Sequence, residues 1–228
     1  MGTLYAGTSG FSYPAWRGTF YPERLPATKM LAYYTERLNG VELNGSFYRT
    51  PPPESLAKWA GAAPAGFQFC LKAHRGLTYS APTFPRERLA AELGARMGTM
   101  GDRLGPVLVQ FPPTRERDPA MLDGLLAALG LRAAVEFRHE SWFAGDVYAV
   151  LRERGAALVV TDQEKWPRAP RVEVCGLSYY RLRRDYDDAA LEAWRRELRA
   201  EAAARDELHV YFRHEVEAPA RAARILTE

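Results

Sequence analysis

Apolar residues along the chain recur with two periods, and the two alternate from one end to the other. In Val41–Asn44, Val41 and Leu43 face one way while Glu42 and Asn44 face the other. Ser46, Phe47, Tyr48 and Arg49 crowd the exit of that strand. Ala133–Arg138 repeats the pattern, with Val135 and Phe137 opposed to Glu136 and Arg138, and His139 and Trp142 following. The same period predicts strands at Leu4–Ser9, Phe67–Lys72, Pro106–Phe111, Ala157–Asp162, Leu177–Leu182 and Leu208–Phe212. Between them, spacings of three and four predict helices at Met30–Leu38, Pro53–Trp59, Pro85–Leu104, Val147–Arg154, Asp188–Ala204 and Ala218–Leu226. A further helix is capped by Asp118, opened by Pro119 and stopped by Gly130. Pro167 and Pro170 keep Gln163–Gly176 irregular.

Eight strands alternating with about seven helices predict an α/β fold of parallel strands joined by helical crossovers. The architecture expected is a single (β/α)8 TIM-like barrel spanning 1–228, a length that suits one such domain. An open doubly wound sheet is the rival, but no phosphate-binding glycine pattern follows the first strand. Strand phase then assigns side chains to the barrel interior: Glu42 and Asn44; Gln68, Cys70 and Lys72; Leu108 and Gln110; Glu136 and Arg138; Leu158, Val160 and Asp162; and Arg181. Phe11, Tyr13, Trp16, Phe20 and Tyr21 crowd the loop after the first strand, as a satellite core or as a lid over the strand ends.

Composition narrows the class. Hydrophobic residues make up 47% of the chain and aromatics 12%, which suits a packed globule and excludes a disordered chain. The net charge of +3 is compatible with anionic ligands but is no proof of nucleic-acid binding. Two cysteines, Cys70 and Cys175, form no metal or redox motif, and Cys70 reads as a small core residue. No apolar run is long enough to span a bilayer, and Met1–Ala6 does not read as a signal peptide, so a cytoplasmic protein is expected.

Six segments carry a resemblance: GTSGFSYPAW, FYPERLP, VELNGSFYRTP, FQFCLKAHRGLT, LGPVLVQFPP and VEFRHESW, in that order, with VYFRH near the end. They are similar to those of the YecE-like family, also called domain of unknown function family 72. The resemblance implies a TIM-barrel-like fold and no established reaction. The chain departs from the family pattern at Leu77-Thr78-Tyr79, at Arg183-Arg184 and at Arg213-His214, and these departures make its mouth more cationic.

Ligands of such barrels bind where the strands exit. Charges inside a barrel are costly unless paired, so Glu42, Lys72, Glu136, Arg138 and Asp162 are expected to converge on one cavity there. A structural salt-bridge network filling the barrel is the alternative. Read as an enzyme, the protein acts on a phosphate- or carboxylate-bearing small molecule. Glu42, Lys72, Glu136 and Asp162 are the candidate catalytic groups, Glu42 or Glu136 serving as general acid or base. Lys72, Arg138 and Arg181 hold the anion. Phe47, Tyr48, Trp142 and Tyr180 wall the pocket, and Asn44, His74, Gln110, His139 and Arg213 complete the binding set. Glycoside hydrolysis by two glutamates and Schiff-base chemistry on Lys72 are narrower branches. Nucleic-acid binding or metal-dependent phosphodiester processing is the second class, with Arg49, Arg183, Arg184 and Arg213 on phosphates. Glu42, Glu136, Asp162, His74, His139 and His214 would then be metal-ligand candidates, although no motif requires a cofactor.

Overall fold

The computed structural model describes residues 2–81 and 83–227; Met1, Pro82 and Glu228 lie outside them. Its strands are β1 (Thr3–Ser9), β2 (Gly40–Leu43), β3 (Gln68–Leu71), β4 (Val107–Gln110), β5 (Ala133–Glu136), β6 (Ala157–Asp162), β7 (Leu177–Leu182) and β8 (Glu207–Phe212). Its helices are α1 (Met30–Thr35), α2 (Pro53–Ala62), α3 (Gly76–Tyr79), α4 (Arg86–Gly98), α5 (Pro119–Leu129), α6 (Gly145–Glu153), α7 (Asp188–Ala203) and α8 (Ala218–Leu226). The strands pair in parallel in the order β3-β2-β1-β8-β7-β6-β5-β4.

The sheet nearly closes between β3 and β4. Two isolated bridges, Phe69 to Leu104 and Lys72 to Leu108, stand where a full ladder would run. Backbone hydrogen bonds from Gly105 to Phe69 (3.0 Å) and from Ala73 to Leu108 (2.8 Å) hold the seam. Glycine is required at its lower end: a Cβ on Gly105 would come within 2.7 Å of Cys70 Sγ.

Local chemistry explains most boundaries. Asp118 Oδ1 accepts from Met121 N at 3.0 Å, Pro119 opens α5, and Gly130 closes it in the left-handed region at φ 60°. The helix expected over Pro85–Leu104 instead stops at Gly98, because Gly101 at φ 55° turns the chain into a short 3₁₀ segment, Gly101–Arg103. The short α3 lies outside the helices that the periodicity predicts. Between β6 and β7 the proline-bearing segment 163–176 makes no helix, as expected.

Two apolar layers hold the fold. The outer one packs the helices against outward strand residues such as Val41, Phe69, Val109, Val135 and Val210. The inner one, inside the barrel, consists of Cys70, Leu108, Ala134, Ala157, Val159, Tyr179 and Tyr211. This inner set corrects the expected phase of β6: Ala157 and Val159 face inward, while Leu158 and Val160 belong to the helix-packed layer. Both faces of that strand are apolar, so alternation alone does not set its phase; the narrow interior takes the smaller Ala157. Asp162 therefore turns outward. Its Oδ2 accepts from Tyr186 OH at 2.8 Å and its Oδ1 stands 3.9 Å from Arg184, so it does not join the other interior charges. The aromatic loop after β1 is a satellite core around Trp16 and Tyr21, from which Tyr13 reaches the mouth.

Candidate functional site

At their C-terminal ends the strands bring Glu42, Lys72, Gln110, Glu136 and Arg181 into one buried layer. Glu42, on β2, is fully buried and accepts from six donors. Its Oε1 takes Ser9 Oγ (2.8 Å), Asn44 Nδ2 (3.0 Å), Arg181 Nη2 (2.9 Å) and Arg183 Nη2 (2.7 Å). Its Oε2 takes Tyr179 OH and Arg181 Nε, both at 3.0 Å. Burial alone would raise its pKa, but Arg181, Arg183 and these hydrogen bonds outweigh that and hold it far below the ordinary carboxylate range. A carboxylate so saturated is an anchor for guanidinium groups and is poorly suited to carry a proton back and forth.

Arg181, on β7, bridges the two glutamates, with Nη1 donating to Glu136 Oε2 and Nη2 also reaching Asn44 Oδ1 at 3.4 Å. Most of its N–H groups are engaged by these internal partners, and the side chain also lines the cavity above. Glu136, on β5, also receives Arg138 Nε at 2.9 Å. Burial pushes the Glu136 carboxyl up, while Arg181, Arg138 and Lys72 together bring it down to about 2. Among the described residues, neither terminal nitrogen of Arg138 donates a hydrogen bond, and the side chain lies partly open at the mouth. Lys72 Nζ donates to Gln110 Oε1 at 2.7 Å and sits 4.0 Å from the centre of the Phe47 ring. Burial lowers its pKa to about 7, with Arg181 and Arg138 acting in the same direction against Glu136 and Glu42.

Above this layer opens a cavity of about 880 Å³. Arg138, Lys165, Arg181, Arg183, Arg184 and Arg213 line it, against Glu164 and Asp185. Ser9, Tyr13, Asn44, Thr161, Gln163 and His214 complete the wall. Arg183 is fixed by Nη1 to Ser9 Oγ (2.6 Å) and Nη2 to Glu42, and Arg213 pairs with Glu215 through Nε.

Several expected wall residues stand elsewhere. Trp142 is fully buried in the outer core, stacked on Phe137 at 4.5 Å with its Nε1 donating to Arg115 O. Tyr180 faces α7, where its OH donates to Glu201 and its ring packs on Trp194; parity makes it the outward neighbour of Arg181. Tyr48 and His74 line a separate surface hollow with Arg49 and Arg96. Phe47 is buried on Lys72 rather than open to ligand. His139 Nδ1 accepts from Ser141 N at 3.2 Å, outside the cavity wall.

The sequence pattern points to none of Ser9, Thr161, Lys165 and Tyr179, and to Tyr13 only as part of the aromatic loop. Tyr179 was reachable by parity from Arg181, but Tyr13 and Lys165 come from irregular segments with no period to read. Among the described residues, no cluster of three or more His, Cys, Asp or Glu side chains is arranged to hold a metal, and the histidines at issue are dispersed. None of the described helices is long and apolar enough to cross a membrane.

Known proteins share this arrangement of strands. A DUF72 family protein from Thermotoga maritima superposes with a TM-score of 0.83 at 25% identity, over 97% of each chain. The D-psicose 3-epimerase of Clostridium cellulolyticum H10 matches 98% of this chain and 90% of its own with a TM-score of 0.54 at 9% identity, a likeness of fold alone. In sequence, the UPF0759 protein YunF of Bacillus subtilis is 30% identical over 155 residues, covering 64% of this chain and 54% of that protein. The UPF0759 protein YecE of Escherichia coli K12 is 30% identical over 168 residues, covering 70% and 59%. The matches thus span little more than half the length of these relatives. The model of the family described as "Protein of unknown function DUF72" matches residues 5–228, and the chain belongs to that family.

Proposed function

We propose that the mouth of the barrel binds a small phosphate- or carboxylate-bearing molecule and that the protein is an enzyme acting on it by proton transfer. The observation that carries this reading is the charge of the site. Glu42 and Glu136 are already engaged by Arg181, Arg183 and Arg138, and Lys72 adds a further basic group without a carboxylate of its own. The cavity wall then adds Lys165, Arg184 and Arg213, which outnumber Glu164 and Asp185. Arg138 supports the reading most directly, since a planar pair of unbonded N–H groups matches a carboxylate or phosphate edge. The buried glutamates serve as the scaffold that positions these cations. Proton transfer falls to Lys72, whose pKa of about 7 lies near neutral pH.

The nucleic-acid reading finds less support. Base stacking needs open aromatics at the site, but Phe47 and Trp142 are buried and Tyr48 lies in another hollow, which leaves Tyr13, already stacked on His214. Thermal melts decide between these readings. Phosphate or pyruvate is expected to raise Tm, because a ligand bound only by the folded chain stabilises it by about 2.7 kcal/mol at a hundred times its Kd. Arg138→Gln should weaken that shift. No shift with phosphate, sulfate or pyruvate, alongside salt-resistant binding of a short oligonucleotide, would reverse the order of the two readings.

A further inference from the structure

Among the basic groups of the buried layer, Lys72 is the odd one. The chain contains four lysines, and Lys29, Lys58 and Lys165 are exposed; Lys72 alone of these is buried, at 8% exposure. Arginine supplies the other cations of the layer, and a guanidinium cannot lose its proton in a protein. A lysine at this position is therefore the basic group able to become an uncharged amine.

Its surroundings hold it in that condition. Among the described residues no carboxylate forms an ion pair with Nζ. Its polar partner, Gln110, has its side-chain amide oriented from behind, where Nε2 donates to Tyr79 OH at 2.9 Å, while the Gln110 backbone carbonyl accepts from Thr78 Oγ1 at 2.7 Å. The amide oxygen is thus turned toward Lys72 and engages one N–H of the amine. The charges around it come from three strands: Glu42 on β2, Glu136 and Arg138 on β5, and Arg181 on β7, with the Tyr79 phenol on α3 behind Gln110. Both acids are bound to guanidinium groups, so neither is free to fix the lysine as an ammonium. Gln110 on β4 pairs in register with Glu136, which sets the amine two strands from Arg138 and its unbonded nitrogens.

We propose that Lys72 is a nucleophile that forms an iminium with a small oxo-acid, a carbonyl compound whose carboxylate or phosphate is held at the cationic mouth. This rests on the anion-binding reading above. The amine lone pair attacks the carbonyl carbon, and the C=O π electrons move to oxygen, which takes a proton from solvent. Nitrogen gives up one proton to solvent and becomes a carbinolamine. Protonation of the carbinolamine oxygen then lets it leave as water while the nitrogen lone pair closes the C=N bond. Amine, carbonyl and one proton become iminium and water, with no change of oxidation state. The iminium draws electrons from the adjacent carbon, which is the chemistry such a lysine supplies. The low pKa keeps about half the amine neutral near pH 7.

Reductive trapping tests this. The full chain is incubated at neutral pH with glyoxylate or pyruvate and cyanoborohydride, then analysed by intact mass and peptide mapping. The expected result is one adduct, on Lys72, forming at least about tenfold faster than on Lys29, Lys58 or Lys165. Its rate should be half-maximal near pH 7 and fall when phosphate is added. Lys72→Arg should lose the adduct while its far-UV circular dichroism spectrum stays that of the wild type; Lys72→Met serves if the arginine variant does not fold. Equal labelling of all four lysines, or none at Lys72, overturns the proposal even where phosphate still raises Tm. A Lys72 adduct that phosphate does not slow, in a protein whose Tm phosphate does not move, supports the lysine and overturns the anion site.

Discussion

Two layers of the barrel interior lie two residues apart along the same strands, and they have opposite chemistry. The lower layer holds Cys70, Leu108, Ala134, Val159 and Tyr179. The upper layer, one inward position further along each strand, holds Lys72, Gln110, Glu136, Thr161 and Arg181. The lower layer also contains an arrangement that looks catalytic. Cys70 Sγ lies 3.5 Å from His209 Nδ1 and 3.2 Å from Tyr211 OH, and His209 Nε2 meets Glu207. Cys70 and His209 are fully buried. Burial drives the thiol well above its ordinary value and the imidazole below its own, so neither charged form is favoured. In the upper layer the same desolvation acts on Lys72, but there the neutral form is the reactive one. Burial silences a thiol and activates an amine, because one reacts as its anion and the other as its uncharged base.

The difference is broken most severely at Arg181. Arg181→Met leaves Glu42 and Glu136 buried without their shared partner, and unfolding in urea should show a loss of about 3–5 kcal/mol. A loss below about 1 kcal/mol would mean that the network contributes little. Acid comes next. Both glutamates titrate below the ordinary value of 4.5, so their stabilisation is complete above that pH and drains away as pH falls toward 2. Stability measured against pH should fall across that window in the wild type, and less steeply in a Glu136→Gln variant that folds.

Lys72 gives the opposite slope. The unfolded chain keeps this proton up to the ordinary lysine value of 10.5, while the folded chain gives it up near 7. Between those values the unfolded state binds more protons, so this group makes stability rise with pH, by at most about 1.4 kcal/mol per pH unit. Lys72→Met should abolish that slope; an unchanged slope would place its source elsewhere. The smallest effects are expected outside the upper layer. Tyr180→Phe removes one hydrogen bond to Glu201 and should cost about 1 kcal/mol, with no change in the phosphate shift of Tm. A weakened phosphate shift there would contradict the outward placement of Tyr180.

The sequence by itself determined the eight strands, their parallel order of crossovers and the inward phase of five of them. Alternation is legible wherever one face is apolar and the other polar, as at Val41-Glu42-Leu43-Asn44 and Val135-Glu136-Phe137-Arg138. Where both faces are apolar, as in β6, period two carries no phase, and only the size limit inside the closed barrel turned Val159 inward and Asp162 out. Tertiary structure also decided which charges are paired. Glu42 and Arg181 are 139 residues apart, and no local pattern indicates that one guanidinium would join two glutamates. Nor does any local pattern leave Lys72 facing an amide instead of an acid. A residue's own strand sets the direction of its side chain, but its pKa and its free hydrogen-bonding groups depend on the strands that close the barrel around it.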